Sequence, residues 1–137
     1  MVSSAEISRG LLARILGHAA LRPDREACGL LFGTAARIAD AVPAENVSAH
    51  PTDSFEIDPA VLFAAMRAER AGGRAMIGHY HSHPGGRPIP SPRDAAAAHD
   101  PGRLWLIVAG GEARLWRARP GGAVEGMFDA VELRATG

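Results

Sequence analysis

Between Ser4 and Ala20 the apolar side chains Ile7, Leu11, Leu12, Ile15 and Leu16 recur every three or four positions, which predicts an amphipathic helix. A polar turn with Pro23 follows. The short apolar run 27–33 is bounded by glycines and predicts a buried strand; the alternating run 36–42 predicts its hairpin partner through Gly33–Ala35. Residues 43–56 read as loop and strand edge. Asp58 and Pro59 supply an N-cap and a first-turn proline, predicting a helix to about Ala71, ahead of Gly72-Gly73. A strand is expected over 75–82, then a stiff proline-rich loop over 84–92. Ser91 and Pro92 open a short alanine-rich helix that ends near Pro101. Closing strands are expected at 104–110, 112–118 and 127–134, with a Gly110-Gly111 turn between the first two. Helices interleaved with strands and hairpins predict an α/β (α+β) fold: a single domain, 1–137, around a mixed central β-sheet flanked by helices.

Composition narrows what such a domain can do. The chain has 137 residues, 47% apolar and 22% charged, which excludes disorder, collagen and coiled coil. Fifteen basic residues balance fifteen acidic ones, so the electrostatic footprint of a nucleic-acid binder or a membrane-surface protein is missing. No nucleic-acid or membrane partner is expected. Every basic residue is Arg, and a chain without Lys has no Schiff-base or phosphate-loop lysine. The lone Cys28 cannot form an internal disulfide and sits in an apolar strand, where a buried, inert thiol is expected. Glu6, Arg9 and Arg14 interrupt the apolar residues of segment 1–23, unlike a signal peptide, and no apolar run reaches membrane-spanning length. A cytoplasmic protein is expected.

The chemistry concentrates in His79-Tyr80-His81-Ser82-His83. Side chains two apart on a strand share a face and stand about 6.6 Å apart, so two imidazoles can converge on one ion; the outer pair, about 13 Å apart, cannot. A pair plus a ligand from a rigid neighbour is the expected arrangement. The proline-rich loop delivers Ser91 and Asp94 on the first turn of the next helix. Two His, one carboxylate and a water form the pattern of a catalytic zinc site, although residue types alone leave Fe or Ni open. Ser91-x-x-Asp94 also has the form of a capping box, and Glu26 that of an ordinary turn residue. The residues alone leave the pair as His79 with His81 or His81 with His83, while His18, His50 and His99 are expected on the surface.

His81-x-His83-x7-Ser91-x2-Asp94 resembles, position for position, the metal motif of the JAB1/MPN/Mov34 (JAMM) metalloprotease family, in a short prokaryotic form. At this composition the pattern arises by chance about once in 1,600 such sequences. The segment GHYHSHP (78–84) resembles the family strand that leads into the site. EACGLLFG (26–33) is similar to the segment bearing the family's catalytic glutamate, and FEIDP (55–59) to the lead into its second helix. The likeness covers about Glu26 to Leu106.

The resemblance implies a cytidine-deaminase-like MPN fold and one Zn²⁺ per chain, held by His81, His83 and Asp94; the family motif passes over His79, which is expected to lie outside the site. Glu26 would exchange the proton of the attacking water, and Ser91 would donate to the oxyanion. It further implies hydrolysis of an amide or isopeptide bond at the C-terminal Gly-Gly tail of a ubiquitin-like, β-grasp sulfur-carrier protein. Only residues 95–103 separate Asp94 from the next strand, where larger relatives carry insertions. A narrow groove that adds the extended tail to a sheet edge is therefore the expected mode. A small-peptide amidase and a non-catalytic MPN scaffold are the alternatives, and the intact Glu, His, His, Ser and Asp set argues against the scaffold. A nucleobase deaminase would need a Cys-x-x-Cys pair, which one cysteine cannot supply. Exposed strand edges would allow a homodimer.

Overall fold

The structure, a computed structural model, describes residues 3–137. The first two residues of the expected domain, and of segment 1–23 considered above, lie outside the described residues. Seven strands and three helices follow in the order β1 (Ser4–Ser8), α1 (Arg9–Leu21), β2 (Cys28–Thr34), β3 (Arg37–Ala44), α2 (Pro59–Arg70), β4 (Met76–Ser82), α3 (Pro92–Ala97), β5 (Leu104–Ala109), β6 (Glu112–Gly122) and β7 (Gly126–Thr136). The expected mixed sheet is present, and it is closed. Its order is β1-β3-β2-β4-β5-β6-β7, with β7 returning to β1. Three pairings are parallel, β1–β3, β1–β7 and β4–β5; the other four are antiparallel.

One expected element is corrected. Helix α1 begins at Arg9, and the residues before it form strand β1, with Ala5 and Ile7 buried. The Ser8 hydroxyl accepts from the Leu11 amide at 3.1 Å, so the backbone at Ser8 is extended and the helix cannot extend further back. Ile7 fits the helical spacing of Leu11 and Ile15 and also a two-residue alternation with Ala5. The pairing with β7, from Ser4↔Glu132 to Ser8↔Thr136, decides between the two.

Two packed clusters share strand β5. Leu104, Leu106 and Val108 pack with Ile7, Leu11, Ile15 and Leu31 beneath α1; Trp105 and Ile107 pack with Trp116, Phe128 and Ala98 on the other side. A strand buried on both faces needs an unbroken apolar run, and LWLIVA is one. At β2, Gly29 makes room for the Tyr80 ring, where a Cβ would stand 2.3 Å from the ring edge. The Tyr80 hydroxyl crosses to α1 and meets His18 Nδ1 at 2.6 Å, so His18, expected on the surface, is half-buried and paired. Cys28 is fully buried and in no disulfide, and burial pushes its thiol up to about 12.

Closure of the ring changes how a tail could dock, because no strand offers a free edge along its whole length. Edge remains where ladders stop, as on β3 beyond Ile38, where the pairing with β1 ends. Among the described residues, no helix is long and apolar enough to cross a membrane.

Candidate metal centre

The antiparallel register of β2 and β4 sets Cys28 opposite His81, so the residues just before β2 meet the end of β4. Past that end, the Ser82 amide donates to the Ala27 carbonyl at 3.0 Å, and the Ala27 amide donates to the Ser82 hydroxyl at 2.8 Å. The serine between the two histidines thus points away from them and pins the neighbour of Glu26. Ser82→Ala leaves the buried Ala27 amide without its acceptor, and we expect a loss of about 1–3 kcal/mol in denaturant unfolding. Wild-type stability in that variant would show that the tie is idle.

His81 and His83 project from the same side, as the two-residue period requires, and their Nε2 atoms stand 3.0 Å apart. His81 is fully buried. Asp94 joins them from α3: its Oδ1 lies 3.2 Å from His81 Nε2, and its Oδ2 lies 3.1 Å from His83 Nε2. The capping box is present as well. Ser91 Oγ accepts from the Asp94 amide at 3.1 Å, and Asp94 Oδ2 accepts from the Ser91 amide at 2.9 Å. Cap and cluster therefore use the same aspartate, because capping aims its carboxylate back toward the strand. The Ser91 hydroxyl proton is not used by the cap.

Glu26 is 5% exposed, and its Oε1 has no hydrogen-bond partner among the described residues. One oxygen of Glu26 and one nitrogen each of His81 and His83 lie within 4.8 Å of one another. Burial raises the Glu26 carboxyl from 4.5 to about 7, opposed in part by His83. Burial pulls His81 below its ordinary range. For His83 burial acts the same way, but the bonds to Asp94 and to the Arg87 carbonyl outweigh it and the group is raised. Burial acts against ionised Asp94, yet the two imidazoles hold its carboxyl far below the usual range.

The raised Glu26 has a measurable consequence in metal-free protein. Its folded-state value lies above its unfolded one, so the folded state binds the extra proton between about pH 4.5 and 7. That contribution is complete below the window and is lost as pH rises through it. Wild type should therefore lose thermal stability relative to Glu26→Gln across this window; parallel melting curves at every pH would contradict the burial of an ionisable Glu26.

The donor set fits a metal. Ligand atoms on a tetrahedral zinc with bonds of about 2.0–2.1 Å stand about 3.3 Å from each other, close to the separations among His81, His83 and Asp94. Two imidazole nitrogens and two carboxylate oxygens also bring more lone pairs than protons to one point. His79 stays outside this cluster, as expected. Its ring meets Trp105 at 4.3 Å and Phe55 at 5.3 Å, and burial lowers it to about 3.

Three residues that support the site were not singled out from the sequence. Ser82 could have been found from alternation alone, as the residue facing opposite to two paired histidines. Phe55 was noticed only as part of FEIDP, and nothing local marks Asn46, whose side chain binds the Glu26 carbonyl at 2.9 Å.

Comparison with known proteins identifies the family and the fold. Residues 8–119 match the family model described as prokaryotic homologs of the JAB domain. The chain is 37% identical over 116 residues to a desampylase of Haloferax volcanii, covering 79% of this chain and 84% of the relative. It is 34% identical to a probable TtuB-protein conjugate cleaving protease of Thermus thermophilus, covering 67% of this chain and 62% of that one. Among solved structures, a protein from Desulfitobacterium hafniense superposes with a TM-score of 0.79 at 26% identity, covering 96% of this chain and 92% of that one. A JAB1/MPN domain protein from Archaeoglobus fulgidus shares the fold, with a TM-score of 0.58 at 22% identity and coverage of 96% and 98%. With four-fifths of its length matched by the family model and its fold shared, the chain belongs to the prokaryotic JAB domain family.

Proposed function

We propose that this protein is a zinc-dependent hydrolase that cuts the amide or isopeptide bond at the C-terminal Gly-Gly tail of a ubiquitin-like, β-grasp sulfur-carrier protein. The observation that carries the reading is the convergence of His81, His83 and Asp94 at 3.0–3.2 Å beside a buried, unpartnered Glu26 oxygen. The names of the two curated relatives, for desampylation and for cleaving TtuB–protein conjugates, support the substrate class.

His81, His83 and Asp94 would hold the ion. A zinc ion at such a site supplies Lewis acidity toward the scissile carbonyl and lowers the pKa of water toward 7. Glu26 takes a proton from the attacking water and holds it for return to the leaving group. The water oxygen bonds to the tail carbonyl carbon, the C–N bond breaks, and Glu26 delivers the proton to the departing amine. Ser91 is held at the rim by its cap and donates its free hydroxyl proton to the carbonyl oxygen as charge builds there.

The test is cleavage of a β-grasp conjugate by purified protein before and after chelation. Activity should vanish with the metal and return with added zinc. Full activity in the chelated, metal-free protein would sink the reading.

A further inference from the structure

The two histidines are oriented by different means. His83 Nδ1 donates to the Arg87 carbonyl at 2.8 Å, which leaves Nε2 free for an ion. Metal-binding histidines are usually fixed in this way through the second nitrogen. His81 Nδ1 is buried and has no partner among the described residues. Its ring is instead stacked face to face on Phe55, with centroids 4.4 Å apart and planes 20° apart; the edge of Trp105 closes another side at 5.8 Å.

Phe55 is itself held. Asn46 is buried and uses its whole hydrogen-bonding capacity: its amide donates to the carbonyls of Glu26 and Ser54, and its oxygen accepts from the amides of Ser48 and Glu56. Both chain neighbours of Phe55 are thus tied to one side chain. Asn46 also pairs with Ile57 across an antiparallel bridge, and the Val47 amide reaches the Glu56 carbonyl at 2.9 Å. The Asn46 side-chain amide, through its bond to the Glu26 carbonyl, also holds the backbone of Glu26.

We propose that Phe55, anchored through Asn46, is the positioning residue for His81, its stacked ring replacing the hydrogen bond that His81 Nδ1 lacks. Rotation of the imidazole about its Cβ–Cγ bond would drive it into the Phe55 face, so the stack keeps Nε2 aimed at His83 and Asp94. Because one side chain ties down both Phe55 and Glu26, ligand and base keep a common frame.

The inference rests on His81, His83 and Asp94 holding zinc, and the test separates the two claims. Metal-free protein is titrated with zinc against a chromophoric chelator, the visible spectrum of the cobalt form is recorded, and metal-free melting is measured alongside. Phe55→Leu should bind zinc about 10–100-fold more weakly and change the cobalt bands, whereas Phe55→Tyr, which keeps the ring, should restore both. A merely structural Phe55 would lower metal-free melting in the Leu variant and leave zinc affinity unchanged, which overturns the proposal. Should the Leu variant not fold, Phe55→Met is read by the same criterion. His83→Ala runs in parallel: wild-type zinc affinity there sinks the site itself. Lost affinity there beside an unchanged Phe55→Leu sinks the Phe55 role alone.

Discussion

Replacing Glu26 by alanine should leave zinc bound and lower turnover by roughly 10²–10⁴-fold, the range for loss of a positioned proton carrier. The geometry makes this a choice between two ligand sets. Glu26, His81 and His83 lie within 4.8 Å of one another and could in principle take an ion themselves. Asp94 stands closer, at 3.1 and 3.2 Å from the two imidazoles, with one oxygen for each. An ion held among the nearer atoms would leave Glu26 to meet a water instead. Its buried oxygen, which has no partner among the described residues, suits that role. Elemental analysis beside a rate assay reads the outcome: loss of zinc would make Glu26 a ligand, and near-normal turnover would remove it from the reaction.

Asp94→Asn should abolish stoichiometric zinc and bring activity to background while leaving the fold intact. Asparagine keeps an oxygen at the same position, so it can still accept from the Ser91 amide and cap α3. It removes the charge that two imidazoles stabilise in the native cluster and that a bound cation requires. The variant therefore separates the capping that Asp94 performs from the ligand role proposed for it. Asp94→Ala removes both roles, and His83→Ala removes a ligand without touching the cap. Full zinc occupancy in Asp94→Asn, measured after dialysis against metal-free buffer, would contradict the ligand assignment.

The parts of the site that were legible in the sequence are those fixed by local geometry. His81 and His83 share a face because a strand alternates, and Asp94 points back because it lies three residues after a capping serine. Glu26 came from resemblance, since nothing in its immediate neighbours distinguishes it from a solvated turn residue. Strand β1 was missed because a five-residue strand carries two apolar positions, one of which also fits the following helix. The parallel partner that makes it a strand lies some 128 residues along the chain, from Ser4 to Glu132. Ring closure depends on the same long-range pairing. The stack of Phe55 on His81 and the bonds of Asn46 to Glu26, Ser54 and Glu56 likewise join segments that only the folded chain brings together.

The most direct test of the central claim is intact-mass analysis of a β-grasp sulfur carrier extended by one amino acid beyond Gly-Gly. It is incubated with zinc-loaded wild type or zinc-loaded Glu26→Ala. The account predicts loss of that single residue, leaving a Gly-Gly carboxylate, with wild type only. An unchanged mass with zinc bound, for this carrier and for an isopeptide-linked conjugate of it, would contradict the substrate. Cleavage by both proteins alike would contradict the mechanism.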